Sequence, residues 1–327
     1  MNPDLLYATT NDGAALAVID VTHPAFAVSV SEAELAAMAE QFVREAKQRL
    51  EMLPALREGL KSSLLGRGLM AASGSVLTGI STYLLKLGPD NLGAGAQPID
   101  RAIAASFPAL TARIRLQDMA RLLADRLTPS LIAEPERPLL LVNIGGGPAA
   151  DSWNALIHLS REHLNLLSRR EIIIAVLDVD ENGPAFGARA IAALRGPGAP
   201  LERLELSLRY VRYDWVKGER LRQALDALNA ARAVSAISSE GGVFEYGSDA
   251  EIVANLEALR PGTASDASVV GSVTRDSDPV RSSQTANAVA SRPRTLEAFT
   301  RLAERAGWVL EHVIERPFSF HVRLLKT

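Results

Sequence analysis

The chain has 327 residues, of which 47% are hydrophobic and 22% charged, with a formal net charge of −3 and no cysteine. That length supports a sizeable core and two structural units. The near-neutral charge creates no field that would gather nucleic acid or anionic lipid. Disulfides, thiolate metal sites and a thiol nucleophile are excluded. The lack of cysteine fits a reducing, cytoplasmic setting.

The opening Met-Asn-Pro-Asp lacks the basic and apolar regions of a secretory signal. Ala14 to Asp20 reads as a short strand. Ser31-Glu32-Ala33-Glu34 is a capping box. It predicts a helix running to Leu53 and broken at Pro54, with Leu35, Met38, Ala39, Phe42, Ala46 and Leu50 on one apolar face. A second helix is expected over Leu69 to Leu87. It is too weakly apolar for a membrane span, so it reads as a buried helix. A Gly-rich loop covers Asn91 to Pro98, and a further helix Ala109 to Leu127. Pro129, Pro135 and Pro138 then punctuate a linker. The apolar faces of these helices point to a homodimer, since such stripes seek burial.

After Pro138 the texture changes to alternating strands and helices. The apolar runs Leu139–Val142, Ile172–Leu177, Leu206–Val211, Ala233–Ile237 and Ala267–Val273 read as buried strands. Helices are expected at Ser152–Leu167, Pro184–Leu194, Glu219–Arg232, Asp249–Leu259 and Thr295–Ala306. This rhythm implies a parallel sheet covered on both faces. Trp308–Glu315 and Ser319–Leu325 flank Arg316-Pro317-Phe318 with no helix between, so they should form an antiparallel terminal pair. Asp276 to Pro293 reads as a long loop, serving either as a mobile substrate loop or as plain surface. The division expected is a helical region over 1–137 and an α/β domain over 138–327.

The sharpest motif is Asn143-Ile144-Gly145-Gly146-Gly147-Pro148-Ala149, directly after the first of these strands. Glycines let the backbone turn tightly and come close to a ligand, and the following helix directs unpaired N–H groups at the same space. The turn suits an amino-acid carboxylate or a nucleotide phosphate; it also serves simply as a turn. The next strand ends in Asp178, placed to accept ribose hydroxyls, or alternatively one of several helix-capping acids with Asp180 and Glu181. The third strand ends in Tyr213-Asp214-Trp215, where an acid and a ring suit an adenine. A Trp that only anchors a loop is the other reading. The fourth ends in Ser238-Ser239-Glu240-Gly241-Gly242-Val243-Phe244-Glu245-Tyr246, beyond the carboxyl ends of the strands where open α/β sheets bind ligands. It reads equally as a loop with solvated acids and packed aromatics.

This order of elements, with Arg260-Pro261-Gly262 before the fifth strand, resembles the class I S-adenosylmethionine-dependent methyltransferases over residues 138–327. The resemblance implies a Rossmann-like, seven-stranded, mostly parallel sheet with an antiparallel C-terminal strand pair, preceded by an α-helical region that covers substrate or forms a dimer. It implies S-adenosylmethionine as cofactor and a small-molecule acceptor, such as a natural-product intermediate. Asn143, Gly145, Gly146, Gly147, Asp178, Asp214, Trp215 and Ser238 would then contact the cofactor. Glu240, Glu245 and Tyr246 would face the acceptor, with Tyr83 contributed by the helical region. The family usually carries an acid where Asn143 stands, and a third glycine where Ala149 stands. No His or acid cluster has metal-ligand spacing, so no metal is expected. Two other readings follow from the same residues. Gly145 to Ala150 also satisfies the G-x-G-x-x-A turn of a flavin or nicotinamide oxidoreductase. A non-catalytic protein that kept the fold and bound the cofactor is the second.

Overall fold

The computed structural model describes residues 2–72, 76–287 and 290–327. The chain opens with an antiparallel hairpin, β1 (Tyr7–Thr9) and β2 (Ala15–Ala17). The capping box at Ser31 forms as expected: Glu34 N–H donates to Ser31 Oγ at 3.2 Å, and Ser31 N–H donates to the Glu34 carboxylate at 2.9 Å. The expected single helix is instead two, α1 (Glu32–Arg44) and α2 (Ala46–Ser62). Its hinge is Glu45, not Pro54, whose position falls within the range of α2.

The helix expected over 69–87 is likewise replaced by α3 (Leu64–Ala71) and α4 (Gly79–Lys86). Each has its own hydroxyl cap, Ser63 and Thr78, whose side chains accept from the third residue on. Part of the sequence between them, residues 73–75, lies outside the described residues. α5 (Pro98–Ala104) precedes α6 (Phe107–Ala133), which runs a turn and a half beyond the expected end and takes in Pro129.

The second half alternates as the sequence predicts: β3 (Leu139–Ile144), α7 (Ala150–Leu167), β4 (Ile172–Asp178), α8 (Asn182–Leu194), β5 (Leu206–Arg212), α9 (Glu219–Ala227), β6 (Val234–Ser239), α10 (Val243–Tyr246), α11 (Asp249–Gly262) and β7 (Ser268–Thr274). Then come α12 (Asp278–Asn287), α13 (Leu296–Arg305), β8 (Trp308–Glu315) and β9 (Ser319–Lys326). The expected loop at 276–293 therefore contains a helix. Its start is the pair Asp278-Pro279, an acid and a proline at positions that suit a first helical turn.

The seven strands lie in the order β5-β4-β3-β6-β7-β9-β8. β3 to β7 are mutually parallel, and β9 runs antiparallel to both β7 and β8. Strand order reverses between β3 and β6, which places the crevice of an open α/β sheet at their carboxyl ends.

Residues alternate between the two faces of each strand. Leu139, Leu141, Ile172, Ile174 and Val176 face one core, shared with Trp153 of α7, Phe186 of α8, Leu123 and Leu127 of α6, and Val18 and Ile19 of the N-terminal segment. Leu140, Val142, Ile173 and Leu177 face the other, with Leu221 of α9, Leu256 of α11 and Phe299 of α13. Among the described residues no helix is long and apolar enough to cross a membrane.

Candidate functional site

The glycine turn closes the crevice. Gly145 and Gly147 both take positive φ, +69° and +60°. Each is held by the neighbouring strand: Gly145 N–H donates to Leu177 O at 2.9 Å, and Gly147 N–H donates to the Asp178 carboxylate at 3.1 Å. A Cβ on Gly145 would lie 2.6 Å from the Trp215 ring, and one on Gly147 would lie 2.5 Å from Gly79 Cα. Close approach is therefore real at both positions, and Trp215 and the start of α4 use it in this structure. Ala149, where the family pattern has a third glycine, also sits at positive φ, +64°.

Asp178 is half-buried at the tip of β4. Its second carboxylate oxygen accepts from Asp180 N–H at 3.0 Å, and desolvation raises its pKa despite these bonds. Asp214 stands at the end of the adjacent strand. Tyr213 N–H donates to the Asp178 carbonyl at 3.0 Å, so the two tips are side by side. The Asp214 carboxylate accepts from Val216 N–H at 3.1 Å and caps a short helical turn that carries Trp215. Trp215 is half-exposed, and its carbonyl accepts from Asn255 at 2.8 Å.

Asn143 is fully buried and wholly engaged. Its Oδ1 accepts from Gly146 N–H at 2.9 Å, while its Nδ2 donates to Asp151 Oδ1 at 2.8 Å and to Ser238 Oγ at 3.1 Å. Asn143 thus pins the turn, α7 and β6 together. The residue that sequence reasoning missed is Asp151, the second residue of α7 and only 1% exposed. Its Oδ1 also accepts from Ser152 N–H at 2.7 Å, while its Oδ2 is buried without a partner. Burial first, and then the nearby Glu240 charge, push the Asp151 carboxyl up to about 6. The signal in sequence was an acid at a helix start, which is too common to single out.

Beyond β6 lies a buried ion cluster. Glu240 accepts from Lys86 of α4 and, at 2.6 Å, from Arg115 of α6. Arg115 also donates to Glu245 at 2.8 Å, and Glu245 accepts from Ser272 Oγ at 2.5 Å. Burial opposes ionisation of Glu240, but the two cations outweigh it and hold its carboxyl down at about 2. Burial foremost, with the adjacent Glu245 charge, raises the Tyr246 phenol above its usual range. Paired in this way, Glu240 is a weak proton acceptor, and Tyr246 holds its proton. Tyr83 needs a correction: it is 1% exposed, donates to Ala17 O at 2.7 Å and accepts from Ile19 N–H at 2.9 Å. Its phenol anchors the N-terminal segment and does not face an acceptor.

A second buried constellation ties α6 to β9. His321 Nδ1 meets Asp118 at 2.9 Å and its Nε2 meets Ser319 Oγ at 2.9 Å, while Arg316 donates to the same Asp118 at 2.8 Å. Cavities open elsewhere among the described residues. One of about 800 Å³ lies at the opposite end of the sheet, between Arg260, Glu304 and Lys326. Another, about 720 Å³, is floored by Leu16, Ile80, Leu84 and Leu92 and rimmed by Asp12, Arg67 and Asp180. Among the described residues no group of three or more His, Asp or Glu side chains could hold a metal.

Comparison with family models and with curated proteins finds no match. Among solved structures, a possible exported protein from Bordetella parapertussis matches with a TM-score of 0.57 at 18% identity, over 91% of this chain and 100% of that one. The pyocyanin biosynthetic protein PhzM matches with a TM-score of 0.44 at 17% identity, over 91% of this chain and 74% of that one. An O-methyltransferase from neocarzinostatin biosynthesis, solved with S-adenosyl-L-homocysteine and 1,4-dihydroxy-2-naphthoic acid, matches with a TM-score of 0.38 at 16% identity, over 67% of this chain and 59% of that one. The first of these, at 18% identity, shows a likeness of fold alone.

Proposed function

We propose that this chain is an S-adenosylmethionine-dependent methyltransferase acting on a small-molecule acceptor. One observation carries the reading. The positive-φ glycine turn, Asp178 and the Asp214-Trp215 pair converge at the carboxyl ends of three neighbouring parallel strands, with Gly147 N–H bonded directly to Asp178. The residues fit the cofactor on one structural test: Asp151, bonded through Asn143 to the glycine turn, leaves its buried Oδ2 without a partner, as a carboxylate that receives the cationic end of a ligand would.

In this reading Gly145, Gly146 and Gly147 receive the amino-acid end, Asp178 the ribose, and Asp214 with Trp215 the adenine. Asn143 and Ser238 hold the turn in shape. When bound, the cofactor supplies an electrophilic methyl group on a sulfonium. The protein contributes orientation and exclusion of water. Glu240, Glu245 and Tyr246 shape the acceptor side. Glu240, held ionised between Lys86 and Arg115, is a weak base, and the three side chains position the acceptor. A natural-product acceptor, a cytoplasmic location and a homodimer complete the proposal. The last is supported by Met38, Leu50 and Met52, which stand exposed on α1 and α2.

Titration with S-adenosylhomocysteine tests this reading. The chain has three tryptophans. Trp153 and Trp308 are fully buried, with their indole N–H groups bonded to Ile19 O and Leu256 O. Trp215 is the half-exposed one, and it lies against Gly145. Saturable heat in calorimetry, with a fluorescence change that Trp215→Phe abolishes, is the expected result. A purified protein that is yellow, or that takes up dinucleotide and not the adenosyl amino acid, would replace this reading with the oxidoreductase one.

A further inference from the structure

We infer that Asp151 provides the anionic contact for the ammonium group of the bound adenosyl amino acid, in place of the acid that the sequence pattern leads one to expect at Asn143. The inference rests on the function proposed above and deepens it.

Asn143 cannot serve that ammonium as an acid would. It carries no charge, and both ends of its amide are spent on Gly146, Asp151 and Ser238. The negative charge lies one layer further back, on the helix that follows the turn. Asp151 accepts from Asn143 and Ser152 through Oδ1 alone, and Oδ2 is buried with no donor. Buried carboxylate oxygens are almost always hydrogen-bonded, and an unpaired one is costly. The groups around it do not relieve the cost. Lys86 lies close enough to favour the charge, but its ammonium is committed to Glu240, whose own charge opposes that of Asp151. Ser238 on β6 assists only in part. Ser238 therefore does not offset the burial, and a cationic donor from a bound ligand would supply the missing partner. Asp151 is tied through Asn143 to the glycine turn and to Ser238 of β6, where the amino-acid end of the ligand is placed by the reading above. Asn143 then acts as a positioning residue, holding Oδ1 so that Oδ2 stays free.

The test compares two ligands, S-adenosylhomocysteine and 5′-methylthioadenosine, which share the thioadenosyl part but differ in the amino-acid end. With Asp151→Asn, affinity for S-adenosylhomocysteine should fall at least tenfold, while affinity for methylthioadenosine stays within about twofold of the parent. The double variant Asn143→Asp/Asp151→Asn, which moves the acid to the family's position, should recover much of the loss. In the parent protein, affinity for S-adenosylhomocysteine alone should weaken as pH falls below about 6, where Asp151 takes up its proton. Unchanged S-adenosylhomocysteine affinity in Asp151→Asn overturns the assignment and leaves the proposed function standing. Equal weakening of both ligands also overturns it, since that marks general damage to the site. Failure of the parent to bind either ligand removes the proposed function and this assignment together.

Discussion

Asp151 and Glu240 are buried carboxylates whose surroundings drive them in opposite directions, and the difference is visible in stability as well as in binding. Asp151 has a folded-state pKa of about 6 against an ordinary 3.8, so the folded protein binds its proton more tightly than the unfolded chain does. Stability must then fall as pH rises from about 4 to about 6, by up to about 3 kcal/mol from this group. Glu240 is the reverse case, at about 2 against 4.5: its contribution is complete above about pH 4.5 and is lost as pH falls toward 2. Urea denaturation of the ligand-free protein separates the two. Asp151→Asn should match the parent near pH 3, below both pKa values, and exceed it by about 1 to 3 kcal/mol at pH 7. Parallel curves for the two proteins across pH 4 to 7 would refute the assigned environment. A binding residue that weakens the empty protein is the familiar trade between function and stability. The glycines and Asp178 were legible because their signal is local: a turn needs φ that only glycine adopts freely, and a strand tip follows an apolar run. Asp151 was not legible, because its burial is set by tertiary packing, in which Asn143 of β3 holds its Oδ1 and is itself tied to Ser238 of β6.

At the scale of elements, the ion cluster is what joins the N-terminal helices to the crevice. Lys86 comes from α4, Arg115 from α6, Glu240 and Glu245 from the segment after β6, and Ser272 from β7. All are buried or nearly so, and breaking such a network by removing one member costs about 3 to 5 kcal/mol, because the partner's charge stays buried. Lys86→Met and Glu240→Gln should each destabilise by that order in urea denaturation. The double variant should lose clearly less than the sum, since each change removes the charge the other leaves stranded. Strict additivity would mean that the pair is not coupled. The helix expected over Ala109 to Leu127 carries Arg113, Arg115 and Arg121 among apolar residues, and nothing local in the sequence tells one arginine from another. Arg121 pairs with Glu162 at the surface, whereas Arg115 is drawn inward by acids 125 and 130 positions further along the chain. Helix ends failed for a related reason. Pro54 and Pro129 read as stops, yet both lie within helices, and it is Glu45 that ends α1.

For the molecule as a whole, the decisive fact is that β3 and β4 build both cores. Their odd and even residues point to opposite faces, so neither core can dissolve without exposing the strands that wall the other. The N-terminal region is drawn into the same unit. Val18, Ile19, Tyr83, Leu123 and Leu127 share a core with Leu139, Ile172 and Trp153, across the boundary near residue 137 where the sequence texture changes. Trp153 donates to Ile19 O at 2.8 Å, and Asn154 donates to the same carbonyl at 3.1 Å, which stitches the segment after the hairpin to α7. Alternation of strands and helices was readable because burial imposes a period on sequence; this merger was not, because an apolar face carries no mark of what it will meet. Unfolding should accordingly be one cooperative transition. Trp153 reports on the core that contains the N-terminal segment, and Trp308 on the core beneath α11 and α13. In a Trp215→Phe background, removal of either indole by Trp153→Phe or Trp308→Phe leaves the other as the probe. The two fluorescence transitions, each measured against far-ultraviolet circular dichroism of the same variant, should coincide with it in urea midpoint and slope. A Trp153 signal lost well before the circular dichroism of the sheet would show instead that the helical region and its core melt as a separate unit.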